Sequence, residues 1–153
     1  MRRVLFVCLG NICRSPMAEA VFRERVREAG LSDRIEADSA GTGAWHVGKP
    51  AHAGTRGILA SNGLGCDHRA RMIERADLDS FDHVVAMDDQ SRRDIDALGR
   101  GRAVISLFLD HAAGLGVRDV PDPYYTGNFE EVYALVDAAA IGLLAKIRRE
   151  TAG

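Results

Sequence analysis

The chain has 153 residues, a formal net charge of −2 at pH 7 and a hydrophobic fraction of 46%. That is room for one domain, taken as 1–153, with a core of ordinary size. The near-neutral balance leaves no broad basic field for nucleic acid or an anionic membrane surface, and no run is apolar for long enough to span a bilayer.

Met1-Arg2-Arg3 precedes a short apolar run, Val4-Leu5-Phe6-Val7. The run stops too soon for a signal peptide and lacks a small-residue cleavage site. It reads instead as a strand buried on both faces of a parallel sheet. A tight loop follows from Cys8 to Arg14, and Ser15 is expected to cap a helix over Pro16–Ala29, which Gly30 ends. A second strand is expected over Arg34–Ala40, then a long loop through Pro50 and a helix over Ala51–Ser61. Residues 70–80 read as a short helical piece. Val84–Met87 is the next buried strand, with Asp88 at its end and a polar helix to Leu98. Ala103–Phe108 is a further strand, and 110–127 a loop rich in Gly, Pro and Asp. In the last helix Phe129, Val132, Tyr133, Val136, Ala140, Leu143, Leu144 and Ile147 fall at helical spacing, with Asn128 and Glu131 as a capping pair. Strand and helix alternate, so the fold class is α/β, a doubly wound parallel sheet with helices on both faces.

The 8–14 loop has the properties of an anion nest. It feeds a helix N-terminus, whose unpaired N–H groups and dipole attract negative charge. Gly10 lets the backbone turn, and Asn11 tolerates a left-handed conformation. Arg14 offers a planar fork to two oxygens of a tetrahedral anion. Leu9, Ile12 and Cys13 complete the backbone of the cradle. Cys8 lies at its floor, where the helix terminus and the guanidinium favour a thiolate, a nucleophile facing the bound phosphate.

Val-Cys-Leu-Gly-Asn-Ile-Cys-Arg-Ser-Pro at 7–16 together with Asp-Pro-Tyr-Tyr at 122–125 resembles the low-molecular-weight protein tyrosine phosphatases. Ser-Ala-Gly-Thr at 39–42, Trp-His-Val-Gly at 45–48, His-Arg-Ala-Arg at 68–71 and Ala-Met-Asp at 86–88 resemble family stretches in family order. The resemblance implies a single three-layer domain with a four-stranded parallel sheet, of the phosphotyrosine phosphatase I type. It implies hydrolysis of phosphotyrosine, or a small aryl phosphate, through a phosphocysteine, with inorganic phosphate and other oxyanions as inhibitors. It also implies that Asn11 shapes the loop through a network with Ser39 and His68. Cys13, a second loop cysteine, is implied to trap oxidised Cys8 as a disulfide.

Asp122 is the expected proton donor to the leaving group, flanked by Pro121 and Pro123 in a loop. Asp119 is the second candidate. Ser15 can donate to the Cys8 sulfur. Of nine aromatic residues in the chain, Trp45, Tyr124 and Tyr125 stand in loops expected beside the nest. With His46 they would wall a slot that favours aryl over short alkyl esters, and the resemblance implies that Leu9 and Ile12 line it with Trp45 and Tyr124. The resemblance also implies Tyr124 and Tyr125 as phosphorylation targets.

His46, His52, Cys66 and His68 lack zinc-site spacing, and no metal or cofactor is expected. An odd count of three cysteines points to free thiols and a reducing cytoplasm, and the expected state is a monomer or a weak dimer. Two other functions fit the nest. One is arsenate reduction on the same fold, which needs more cysteines than Cys66 to carry electrons out. The other is a non-catalytic phosphotyrosine-binding module.

Overall fold

The computed structural model describes residues 1–152. Four parallel strands, β1 (Arg2–Cys8), β2 (Ile35–Gly41), β3 (His83–Ala86) and β4 (Val104–Leu107), lie in the order β2-β1-β3-β4. The central strand β1 is buried on both faces because both halves of its alternation are apolar. Val4, Phe6 and Cys8 face a layer made by helices α1 (Arg14–Glu28) and α6 (Phe129–Ala152). Leu5 and Val7 face the other layer, where Leu78, Phe81 and Ile95 close the core. These come from α3 (Asp77–Ser80), the turn after it and α4 (Asp89–Leu98). Phe6 sits edge-on between Phe22 and Phe108, with ring centroids 5.4 and 5.2 Å away.

The remaining helices are α2 (Ala53–Ser61) and α5 (Pro123–Thr126), with a 3-10 turn at Phe108–His111. Three expectations are corrected. Helix α1 begins at Arg14, with Cys13 at its cap position and no side-chain cap. Ser15 is therefore inside the helix. Residues 70–76 are not helical: 71–73 run beside the end of β2, where Arg71 O accepts from Gly41 N and Gly41 O accepts from Ile73 N, each at 2.8 Å. The 110–127 segment is not all loop, since Asp122 caps α5 by accepting from Tyr124 N at 3.1 Å. The expected capping pair of α6 is present, Asn128 Oδ1 accepting from Glu131 N at 3.4 Å.

The ends of β1, β2 and β3 bring Cys8, Gly41 and Asp88 to one edge of the sheet. In a parallel α/β sheet that edge is where ligands bind.

Candidate active site

Between the end of β1 and the start of α1 the chain turns sharply. Asn11 has φ +57°, the left-handed region, and is the one non-glycine residue there among those described. Gly10 is not left-handed. Its lack of a side chain serves a close approach instead, since a Cβ would lie 3.0 Å from His46 Cδ2. The turn points Asn11 N at Cys8 Sγ, 3.2 Å away, and the Ser15 hydroxyl lies 3.0 Å from the same sulfur. Because no side chain caps α1, its first N–H groups are left for the loop and its ligand.

Arg14 is buried, with its side chain 5% exposed. Both Nη1 hydrogens are spent on protein, to Asp88 Oδ2 at 2.6 Å and Val120 O at 3.0 Å. Nη2 lies 3.6 Å from Asp122 Oδ2. Nε and Nη2 have no hydrogen-bond acceptor among the described residues and can serve two oxygens of an anion. Burial works against the guanidinium's charge, but Cys8, Asp88 and Asp122 outweigh it and hold the proton more tightly than usual. For Asp88 burial favours the neutral acid, yet Arg14 and Ser91 bring its carboxyl below the ordinary range.

Behind the loop, Asn11 is held at four points. Its Nδ2 donates to Ser15 Oγ at 2.8 Å and to Ser39 Oγ at 3.0 Å. Its Oδ1 accepts from Arg71 N at 2.9 Å, and its carbonyl oxygen lies 2.7 Å from His68 Nε2. Asn11, Ser15 and Ser39 are all buried.

In front of the loop lies a cavity of about 340 Å³, with Cys8, Leu9, Gly10, Ile12, Cys13 and Arg14 on one side. Trp45, His46, Asp122, Tyr124 and Tyr125 complete its lining. Trp45 and Tyr125 are largely exposed at its rim. Cys13 is buried, and burial first, then Asp122 and Cys8, push its thiol up to about 12, so it stays protonated. A larger groove of about 730 Å³ runs between α1, β2 and residues 64–68 and contains Cys66 but neither Cys8 nor Arg14. Asp119 is elsewhere, accepting from Asp89 N at 3.0 Å.

A family model described as "Low molecular weight phosphotyrosine protein phosphatase" matches residues 3–152. The chain belongs to this family. It is 48% identical over 153 residues to low molecular weight protein-tyrosine-phosphatase YfkJ of Bacillus subtilis, covering 98% of each chain. It is 49% identical over 158 residues to a low molecular weight protein-tyrosine-phosphatase of Streptomyces coelicolor, covering 99% of this chain and 96% of the relative. The crystal structure of YfkJ superposes with a TM-score of 0.95, over 98% of this chain and 96% of that one. Within this low-molecular-weight phosphatase fold, three partnerships were not drawn from the sequence. Asp88 is the ion-pair partner of Arg14. Glu19 accepts from Ser39 Oγ at 2.8 Å. His52 stacks on Phe129 with ring centroids 5.3 Å apart, meets Tyr124 edge-on at 5.8 Å and caps α2 through Nδ1. The Asp88 signal was there to read, as a carboxylate at the same strand edge as the nest.

Proposed function

We propose that the chain hydrolyses phosphotyrosine and other aryl phosphate monoesters through a phosphocysteine. One observation carries the reading: the Cys8 sulfur, the unspent N–H groups of Arg14 and the Asp122 carboxyl share one aromatic-walled cavity. In the first step the Cys8 thiolate attacks phosphorus. The S–P bond forms, the P–O bond to the aryl group breaks, and protonated Asp122 gives its proton to the departing oxygen. In the second step the Asp122 carboxylate takes a proton from water, whose oxygen attacks phosphorus. The S–P bond breaks, inorganic phosphate leaves and the thiolate returns. Arg14 and the loop N–H groups carry the charge of the transferring group throughout. The Ser15 hydroxyl, 3.0 Å from Cys8 Sγ, stabilises the sulfur as nucleophile and again as leaving group.

Tyr124, Trp45 and Ile12 fit an aryl ring, which favours a phosphotyrosine-bearing protein over a short alkyl ester. A thiol nucleophile beside a second thiol needs a reducing compartment, so the reading puts the enzyme in the cytoplasm, checked by fractionation of cells. Arsenate reduction is disfavoured because Cys66 lies in the other groove. Hydrolysis of para-nitrophenyl phosphate is the test. The wild type should turn over, and Cys8→Ser should lose turnover yet still bind inorganic phosphate. A Cys8→Ser rate within about tenfold of wild type would overturn the nucleophile assignment.

A further inference from the structure

Asn11 cannot be turned the other way round. Arg71 N is a donor, so the atom facing it at 2.9 Å must be the amide oxygen. Nδ2 then faces both serines, and both serine oxygens must accept. Each hydroxyl has a single hydrogen left to give. That of Ser15 has the Cys8 sulfur 3.0 Å away. That of Ser39 has Glu19 Oε1 at 2.8 Å. A continuous chain of hydrogen bonds thus runs Glu19–Ser39–Asn11–Ser15–Cys8, with a carboxylate at one end and the sulfur at the other. With both oxygens accepting from the central amide, an acceptor at each end receives a hydroxyl that points outward.

We infer that Glu19 is a positioning residue for the Cys8 sulfur, acting through Ser39 and Asn11 on the hydroxyl of Ser15. The inference rests on the phosphocysteine reading above. Without an acceptor at 19, the Ser39 hydrogen competes with Asn11 Nδ2, donor against donor, and Asn11 loses one of its anchors. The Ser15 hydroxyl is then less firmly aimed at the sulfur. Glu19 is nearly as buried as the serines, at 7% exposure, and stands on the wall of the larger groove. Arg23 Nη1, 2.9 Å away, favours its carboxylate against that burial. Burial, with a lesser push from Asp38, leaves the Glu19 carboxyl above its ordinary range, although Arg23, Ser39 and His68 act the other way. Cys66 also lies close enough to sense its charge.

The effect falls on the rate, because the chain of hydrogen bonds ends on the sulfur and not on the aryl slot. Glu19→Ala and Glu19→Gln are each expected to lower kcat on para-nitrophenyl phosphate about fivefold to tenfold, with KM within about twofold. In the Gln variant the amide presents an N–H either to Ser39 or to Arg23, so it repairs the chain poorly. Ser39→Ala should lose a similar factor, and Ser39→Ala with Glu19→Gln should lose no more than either alone, because they act in series. Arg23→Gln removes the cation that keeps Glu19 ionised. The acidic limb of its kcat profile should move to higher pH, and this shift should vanish when Glu19 is also Gln. If Glu19→Ala proves unfolded, Glu19→Gln carries the test. Wild-type kcat in a folded Glu19 variant, or fully additive losses with Ser39→Ala, would refute the inference and leave the phosphatase reading standing. A wild-type protein that does not hydrolyse the ester would refute the reading itself.

Discussion

The two ends of the parallel sheet use the same pair of residue types to opposite effect. At the ends of the strands Arg14 meets Asp88 and Asp122 with its side chain 5% exposed. At their beginnings Asp82 meets Arg102 at 2.7 Å and Arg2 at 3.8 Å, and accepts from Arg3 N at 2.7 Å, with the Arg102 side chain 54% exposed. Coulomb attraction between such pairs is weak in water and strong away from it, but so is the cost of burying the charges. The cluster at the beginnings ties strand ends together, with Asp82 11% exposed but its arginines open to water, and is worth less per pair. The buried one is held by neighbours that over-determine its position, and it leaves part of a guanidinium unspent. That residue of unmet hydrogen bonding is what a bound anion would use.

The largest expected effect lies at the buried end. Asp122→Ala should lower kcat about a hundredfold or more on esters with poor leaving groups and less on para-nitrophenyl phosphate, while Asp119→Ala stays near wild type. Equal losses would remove the distinction drawn between the two acids. Next comes Asp88→Ala, which strips the shortest partner from a buried charge and uncaps α4. It should cost about 3 kcal/mol in urea unfolding at neutral pH. The folded Asp88 carboxyl is held low, so its contribution is present above the unfolded value near 4 and is lost as pH falls through the folded one. The gap between wild type and variant should therefore close on strong acidification.

His111 gives a smaller effect on the flank of the sheet, where its Nε2 lies 2.9 Å from Ser106 Oγ. Burial, then Lys146 and His83, push it down to about 4. A histidine held neutral in the fold contributes stability that is complete above an unfolded value near 6.5 and is lost as pH falls towards 4. His111→Asn should flatten that slope, measured as unfolding midpoints from pH 7 to 4.5. Smallest is Arg102→Ala, expected to cost under about 1 kcal/mol and to vanish in high salt. A loss matching that of Asp88→Ala would erase the contrast between the two ends.

Much of this was legible along the chain. The apolar run of β1, the helical spacing of α6 and the Cys8-to-Arg14 loop are local patterns, and local patterns survive folding. The missed features depend on contacts between distant segments. Asp88 is 74 residues from Arg14, and only the adjacency of β3 to β1 brings them together. Glu19 stands between Ala18 and Ala20 in α1, and only the packing of β2 beside the helix sets its carboxylate on Ser39. Ser15 has a capping residue's chemistry, but its hydroxyl sits 3.0 Å from the Cys8 sulfur instead. Residues 71–73 carry no strand signal of their own, and their pairing beside Gly41 is a consequence of β2's free edge.

Arg14 Nη1 divides its two hydrogens between Asp88 and the main chain. The carbonyl of Val120 is one acceptor, and Val120 N in turn donates to Met87 O at 2.8 Å. Val120 is the root of the segment that bears Asp122. On the proposed reading a single side chain is both the seat for the incoming anion and a tie to the segment that bears the acid. Exchanging it for lysine, a point charge without the fork, would unfasten the second while weakening the first. Kinetic defects in such a variant are therefore a compound reading of grip and proton delivery, and the leaving-group dependence separates the two.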